Sequence, residues 1–230
     1  SGDRLMEEFF TVVGRKDVND PNSEIVPCGC VTRNLAHSSA RVPHATVQII
    51  TIRSDTGKII IHQRPSFVRN APNMWDVLGG HVSFEMGIFS SPNGLEEVSL
   101  ETALRESREE MLVGVNGNAH LISKSHLQQI GRLCQFEWGV NDPNTKNVEY
   151  STAYLLRIPP NANISIPFEL RDGTVQWLPF KEISWSKLLA FYQDSKIYPP
   201  PSAFENSPFH QGFADGIVRI LKQALVENEI

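Results

Sequence analysis

LEEVSLETALRESREEMLV, at residues 95–113, is the stretch around which the rest of the chain is organised. Its pattern predicts a helix, and on a helix Glu106 and Glu110 lie on one face with Glu109 beside them. Three carboxylates at such short separations repel one another. This repulsion destabilises the helix unless a cation binds them. Mg²⁺ prefers oxygen ligands and often bridges a few carboxylates to the phosphates of a substrate. The stretch therefore predicts either a metal site or a solvated acidic face balanced by neighbouring arginines.

The residues before this helix favour the metal site. Gly79 and Gly80 lie directly after the apolar run at 74–78, and His81 follows them. The order of strand, paired glycines, loop and acidic helix resembles the Nudix box of the Nudix hydrolases, whose pattern is G-x5-E-x7-R-E-U-x-E-E-x-G-U, with U an aliphatic residue. The resemblance spans residues 43–190. The positions of the pattern that fit are Glu97, Arg105, Glu106, Glu109, Glu110 and Val113.

Three features of the chain depart from that pattern. Ser107 stands where an aliphatic residue is usual, and Leu112 stands where glycine is usual. Sixteen residues separate Gly80 from Glu97, whereas the pattern has five. The extra loop, at 84–94, carries more apolar side chains than a loose surface loop does.

The resemblance implies a hydrolase that depends on a divalent metal ion. It places Mg²⁺, or Mn²⁺, on Glu106, Glu109 and Glu110, with the carbonyl of Gly80 as a further ligand. Such ions neutralise phosphate oxygens and activate water. The implied reaction is cleavage of a diphosphate bond in a nucleoside-diphosphate-linked or other organic diphosphate, which is the small-molecule partner we expect.

The resemblance also names candidates for the catalytic residues. Glu106 is the first candidate for the general base, and Glu149 and Glu169 stay open as alternatives. Arg105 matches the arginine of the box, which in the family orients the glutamates. We therefore predict Glu106 and Arg105 as the catalytic pair.

Basic residues near the predicted site are candidates for binding the substrate. Arg53, Arg64 and Arg69 each offer a guanidinium fork, which fits the geometry of phosphate. Arg64 is the strongest of the three, because it ends a strand that faces the site. His81 is a further candidate for a phosphate contact. Solvated surface positions are the alternative for each arginine.

Three histidines form a second group of interest. His37 and His44 are seven residues apart, just before the first core strand, and His81 follows the paired glycines. In the isopentenyl-diphosphate isomerases, a similar branch of the same superfamily, histidines placed in this way hold a metal ion. The three are therefore a candidate second metal site, and purely structural histidines are the alternative. The isomerase also needs a cysteine beside the metal histidine, but residues 78–80 are Leu-Gly-Gly. A non-catalytic Nudix domain that binds a ligand is the remaining alternative.

Composition limits the class of protein. The net charge of −5 does not favour a nucleic-acid partner. No apolar run reaches membrane-spanning length, so no membrane partner is expected. Three cysteines without zinc spacing predict a reducing, cytoplasmic compartment. A homodimer is left open.

Periodicity predicts an α/β fold, with a mixed sheet that carries helices on both faces, and the resemblance makes it a Nudix-type α/β/α sandwich. Ser99 is the predicted N-cap of the acidic helix, and a further helix is predicted from Lys181 onward. We expect one domain over 1–230, with a core at 43–190, an N-terminal extension at 1–42 and a C-terminal tail at 191–230 that contains a helix at 209–225. The strands are predicted at 46–53, 58–64, 74–78, 128–138, 148–158 and 174–180, with a linker at 159–167.

Overall fold

A computed structural model describes residues 8–20, 22–38, 40–68, 72–138, 146–184 and 186–188. The α-helices are α1 (Arg33–Ala36) and α2 (Gly94–Glu110), and short 3₁₀ helices lie at Met86–Phe89 and Lys124–His126. The strands are β1 (Phe9–Arg15), β2 (Ile25–Thr32), β3 (His44–Arg53), β4 (Ile59–Gln63), β5 (Trp75–Asp76), β6 (Leu78–His81), β7 (Leu112–Val115), β8 (Asn118–Ala119), β9 (Leu127–Trp138), β10 (Lys146–Ile158), β11 (Asn163–Ser165), β12 (Pro167–Glu169), β13 (Val175–Trp177) and β14 (Phe180–Ile183).

Strand β3 lies at the centre of the main sheet. Its sequence, HATVQIITIR, is rich in β-branched residues and almost entirely buried, which is typical of a strand covered on both faces. One edge of β3 pairs in parallel with β10, and β9 continues the sheet in antiparallel order. The other edge pairs in turn with β1, β6 and β4, all antiparallel. The described sheet has nine strands and is mixed, as the sequence predicts.

Helix α2 covers one face of this sheet. Ala45, Val47 and Ile49 alternate along β3 and share a buried cluster with Leu95 and Leu104 of the helix. The residues between them on β3 place their side chains on the opposite face. Neither α2 nor any other helix in the described residues is long and apolar enough to span a membrane.

The acidic helix begins earlier than predicted. Its N-cap position is Asn93, whereas Ser99 is buried inside the helix, so the predicted N-cap is wrong. Glycine at 94 permits this start, since a Cβ there would lie 2.1 Å from the carbonyl oxygen of Ile88. Ile88 is buried within its 3₁₀ helix. The long loop before Glu97 therefore packs on the core, in line with its apolar composition.

The C-terminal half differs from the prediction at two places. Residues Phe180–Ile183 form β14 on the edge of β4, so the predicted helix does not begin at Lys181. The predicted linker at 159–167 contains β11, which pairs with β7. In both cases pairing with a distant strand decides the structure, and local pattern does not reveal it. The predicted helix at 209–225 and the predicted tail at 191–230 lie outside the described residues.

The N-terminal segment, which the sequence places outside the core, joins the main sheet. β1 pairs with β2 along its whole length and meets β3 where Val12 lies opposite His44. Phe10 of β1 is fully buried. The described part of residues 1–42 is therefore continuous with the sheet. The division of residues 1–230 into extension, core and tail otherwise stays a prediction.

Candidate active site

Strand β6 brings three consecutive residues to the centre of the site. Gly79 donates its backbone N–H to Glu110 Oε2 at 3.1 Å, at the edge of β6 that does not pair with β3. A Cβ on Gly80 would lie 2.3 Å from Glu106 Oε1, so Gly80 faces α2. His81 faces the opposite side, because side chains alternate along a strand. The absence of a Cβ on Gly80 therefore leaves room for the Glu106 carboxylate against the strand.

Arg105 holds two of the box glutamates, the name used below for Glu106, Glu109 and Glu110. Its Nη2 lies 2.7 Å from Glu106 Oε1, and its Nη1 lies 3.1 Å from Glu109 Oε2. Glu109 is exposed, whereas Glu106 and Glu110 are partly buried against β6. Arg105 therefore lies beside both carboxylates, and the orienting role that the resemblance implies for it stays a prediction.

Burial makes two of these carboxyl groups difficult to ionise. Burial raises the pKa of Glu110 to about 8; the Gly79 N–H bond opposes the rise, and the charge of Glu106 adds to it. Burial also raises the pKa of Glu106, with the charge of Arg105 opposing it. A nearby cation favours the charged form of a carboxyl group. A divalent cation would therefore relieve the cost of ionising this pair.

Ser107 and Leu112, the two altered positions of the box, have different surroundings. Ser107 is fully buried, and its hydroxyl donates to the carbonyl of Ala103 at 2.7 Å, so the helix itself satisfies the polar group. Leu112 begins β7 with its side chain half exposed. Glu97 is also exposed and accepts a hydrogen bond from Ser91, away from the glycine pair.

A second cluster lies on the face of the sheet opposite α2. It consists of His37, His44, His81 and Glu149 and is called the histidine cluster below. His37 Nε2 lies 3.1 Å from His81 Nε2, and Glu149 Oε1 lies 3.7 Å from His81 Nε2 and 3.9 Å from His44 Nε2. One ligand atom of each residue lies within 4.8 Å of the others, so the group could hold a metal ion. The structure thus brings together the three predicted histidines and adds a carboxylate.

The protonation of the histidines suits a metal site. His44 Nδ1 lies 2.9 Å from the carbonyl oxygen of Val42. A carbonyl only accepts, so Nδ1 carries the proton and Nε2 carries a lone pair. His44 Nε2 is buried and has no hydrogen-bond partner among the residues that the structure describes. Burial lowers the pKa of His37 to about 4 and also lowers that of His81. Neutral imidazoles with an outer hydrogen bond to a carbonyl are typical metal ligands.

Glu149 is the residue whose position the sequence did not reveal. The parallel pairing of β10 with β3 sets Glu149 opposite His44. Thr46 donates to Glu149 Oε2 at 3.4 Å and also contacts the hydroxyl of Ser151. The sequence named Glu149 only as an alternative general base. To predict that Glu149 lies beside His44, one must know how β10 pairs with β3, and these two strands are distant in sequence.

Both clusters border one cavity of about 420 Å³. Glu110 lines it from the edge of β6, and His37, His81 and Glu149 line it from the other side of the strand. Glu106 and Glu109 lie outside this lining. The remaining wall combines charged and polar residues, among them Arg33, His62, Arg64 and Asp76, with an apolar group that consists of Pro65, Val68, Pro167, Phe168 and Leu178.

The three arginines that are candidates for substrate binding differ in their positions. Arg64 lines the cavity, where its Nη1 lies 2.8 Å from Asp76 Oδ2. Arg53 is bound to Glu182 and to the carbonyl of Ala162, so it joins structural elements outside the cavity. Arg69 lies outside the described residues.

Arg33 is a cavity residue that the sequence did not single out. It begins α1 and lines the cavity beside His37. Its described ion pair, with Glu8 at 3.2 Å, is exposed. Arg33 lies in a helix of four residues in the N-terminal segment, and the sequence around it does not indicate phosphate binding.

Comparisons with known proteins give structural matches only. No family model matches the sequence, and no curated protein matches it. The Deinococcus radiodurans protein DR0079 is 16% identical, with 85% of this chain and 95% of that chain covered and a TM-score of 0.47. The MutT protein of Methanosarcina mazei is 16% identical, with 75% and 94% covered and a TM-score of 0.44. A Nudix hydrolase from Alicyclobacillus acidocaldarius is 12% identical, with 76% and 90% covered and a TM-score of 0.44.

The chain is similar in structure to Nudix proteins. This is the superfamily that the sequence resemblance names. The three structures do not include an isopentenyl-diphosphate isomerase, and similarity to that branch stays a prediction. At these identities and TM-scores the matches say nothing about activity, so the function must be argued from the residues of the site.

Proposed function

We propose that this chain is a metal-dependent hydrolase of the Nudix type, which cleaves the diphosphate bond of a nucleoside-diphosphate-linked or other organic diphosphate. The observation that carries the proposal is the convergence of Glu106 and Glu110 on the glycine pair of β6. Two carboxyl groups with raised pKa values lie against this strand, and a Cβ on Gly80 would displace one of them. Such a cluster favours a cation, and the adjoining cavity has room for a ligand.

The donor atoms fit divalent ions at both clusters. The box glutamates with the Gly80 carbonyl would hold Mg²⁺, or Mn²⁺, because hard cations prefer oxygen ligands. The histidine cluster would hold a second, softer ion such as Mn²⁺ or Zn²⁺, because imidazole suits transition metals. The unpartnered Nε2 of His44 is the observation that supports this second site. When bound, the ions would supply Lewis-acid polarisation of phosphate oxygens and of water.

The chain's own residues would orient the reactants. Arg105 holds Glu106 in place against β6. Glu106 is the first candidate for the residue that accepts the proton of an attacking water, because its carboxylate is held against the strand. Arg33 and Arg64 would bind phosphate oxygens from the wall of the cavity.

The cavity also has a place for the organic part of the substrate. Residues Pro65 and Val68 follow Arg64 in the chain, and Phe168 joins them in the lining. The ring of Phe168 lies 5.8 Å from that of Phe67, which is exposed. An apolar wall beyond the phosphate-binding arginines would receive an apolar or planar group.

The test is a screen of the purified protein for phosphate release. Nucleoside triphosphates, dinucleotides, nucleotide sugars and isoprenoid diphosphates are each incubated with Mg²⁺, with Mn²⁺ or with EDTA. We expect release from at least one substrate class, dependent on the metal and abolished by EDTA. Release that is unchanged in EDTA would contradict the proposal.

A second candidate function follows from the histidine cluster. The three histidines with a carboxylate are what the resemblance to isopentenyl-diphosphate isomerases implies, and the structure brings them together. The thiol that the isomerase uses is missing, because Gly79 and Gly80 precede His81, and Cys28 and Cys30 are exposed on β2. Incubation of the protein with isopentenyl diphosphate in D₂O, followed by NMR, distinguishes the isomerase from the hydrolase. Deuterium incorporation with isomer formation would favour the isomerase over the hydrolase.

A further inference from the structure

Phe10 contacts every histidine of the cluster. Its ring stacks on that of His81, with centroids 4.1 Å apart and planes within 9°. The His44 ring is also stacked, at 5.7 Å, and the His37 ring meets Phe10 edge-on at 5.9 Å. The guanidinium of Arg33 lies 5.7 Å from the centroid of the Phe10 ring. One aromatic ring thus touches all three candidate imidazole ligands and a cation beside them.

The backbone of β1 fixes the position of this ring. Phe10 forms an isolated bridge with Ser83, and the N–H of Thr11 donates to the carbonyl of Val82 at 2.9 Å. Both partners directly follow His81 in the chain. The strand that carries Phe10 is therefore tied to the segment that carries the histidine it stacks on.

The surroundings of Phe10 differ from those of an ordinary core residue. It is 0% exposed, yet it lies outside the large cluster that packs between α2 and the sheet. Its buried apolar neighbours are Val31 and Ala36, with Val12 and Val42 partly buried beside them, and the three imidazoles lie against its ring. An aromatic face on one side of the cluster excludes water there and restricts the rotation of the imidazoles.

We propose that Phe10 is a positioning residue for the histidine cluster, and that it orients His37, His44 and His81 for metal binding. The inference rests on the metal site of the proposed function. It assigns a role in the site to the N-terminal strand, which lies outside the segment that resembles the Nudix hydrolases. Phe10 is not among the residues that line the cavity, so in this proposal it acts through the imidazoles.

The test compares two substitutions that separate packing from ring stacking. Phe10→Leu keeps an apolar side chain but removes the ring, whereas Phe10→Tyr keeps the ring and adds a buried hydroxyl. Phe9→Leu is the matched control, because Phe9 is the preceding residue on the same strand and is 42% exposed. Co²⁺ is the probe, with its visible absorption reporting the ligand geometry and calorimetry reporting the Kd. Urea unfolding reports the stability of each variant.

We expect Phe10→Leu to weaken Co²⁺ binding by about 10-fold or more and to change the spectrum, as loss of an outer-shell contact does. Phe10→Tyr should keep the Kd for Co²⁺ and the absorption spectrum near those of wild type, even though its buried hydroxyl lowers stability. Phe9→Leu should change neither the Kd nor the spectrum. Co²⁺ binding by Phe10→Leu equal to wild type would overturn the positioning role and leave the metal site standing. Wild-type Co²⁺ binding that does not respond to His44→Gln would overturn the metal site and the positioning role together.

Discussion

Glu110 is the residue whose charge depends most on what binds beside it. Burial raises its pKa from 4.5 to about 8. Between these pH values the unfolded chain has lost a proton that the native chain keeps, so the free energy of unfolding falls as pH rises. Above the native pKa the loss is complete. Without a metal ion, the buried carboxylate therefore destabilises the fold at neutral and alkaline pH.

Glu110→Gln should remove this pH dependence. The amide carries no charge, and its oxygen can still accept the Gly79 N–H bond. In EDTA, the stability of wild type relative to the variant should fall by up to about 4 kcal/mol from about pH 5 to about pH 8. Urea unfolding at three pH values measures the difference. A difference that is constant across this range would show that ionisation of Glu110 is not coupled to folding.

Gly80→Ala should disrupt the site through Glu106. The new Cβ would lie 2.3 Å from Glu106 Oε1, so the carboxylate must move away from β6. We expect kcat/KM for phosphate release to fall by about 100-fold, because small displacements of catalytic groups have effects of this size. Steady-state kinetics measures the loss, and circular dichroism checks the fold.

The control for this substitution is Gly131→Ala. Gly131 also lies in a strand, but a Cβ there would meet no atom of the described part of the chain within 4 Å. Activity should stay at the wild-type level. Equal losses in the two variants would mean that the contact of Gly80 with Glu106 does not explain the effect.

At the scale of elements, the acidic helix and the central strand were predictable, whereas their partners were not. The β-branched run of β3 and the carboxylate spacing of α2 are local patterns, and both elements are present, although α2 begins earlier than predicted. The mixed sheet followed from the same patterns. The place of Glu149 beside His44 depends on the parallel register of β10 with β3, and no local pattern contains that register.

The N-terminal strand and the C-terminal edge show the same limit. β14 forms because residues 180–183 complete the edge of β4, although the sequence predicted a helix from Lys181. Phe10 belongs to the apolar run FFTVV at residues 9–13, and the strand that contains it meets β3 at His44 and places the ring on the histidines. Pairing between strands that are distant in sequence decides both positions. Local propensity therefore could not predict them.

Ser107→Ala should stabilise α2 as an element. The Ser107 hydroxyl bonds back to the carbonyl of Ala103 inside the helix, a contact that slightly opposes helical geometry. Alanine has the higher helix propensity, so we expect a gain of about 0.5 kcal/mol in the free energy of unfolding with no change in activity. Chemical denaturation measures it. A loss of more than about 1 kcal/mol would show that the buried hydroxyl bond stabilises the fold.

At the scale of the whole molecule, the cavity collects residues from distant parts of the chain. Arg33 and His37 come from the N-terminal segment, Glu110 comes from the acidic helix, and Phe168 comes from a hairpin near residue 170. The sequence identified the box glutamates and the histidines as two separate groups. That one cavity joins them around the edge of β6 follows from topology alone.

Arg33→Gln should test whether the N-terminal wall binds phosphate. Loss of a charge-assisted contact should raise KM by about 10-fold with a smaller change in kcat. Lys16→Gln is the matched control, since Lys16 is an exposed cation paired with Glu24 on the neighbouring hairpin. Steady-state kinetics at fixed ionic strength measures both. Equal rises in KM would point to general attraction by positive charge.

The most direct test of the metal-dependent hydrolase is phosphate release by three proteins in the presence of Mg²⁺. These are wild type, Glu110→Gln, and Glu101→Gln as the control, because Glu101 is exposed on the same helix and pairs with Lys124. ³¹P NMR on the best substrate of the screen follows the reaction. Wild type and Glu101→Gln should release phosphate at similar rates. The rate of phosphate release by Glu110→Gln should be lower by at least about 100-fold. Release by Glu110→Gln at the wild-type rate would contradict the assignment of the box glutamates to the metal site.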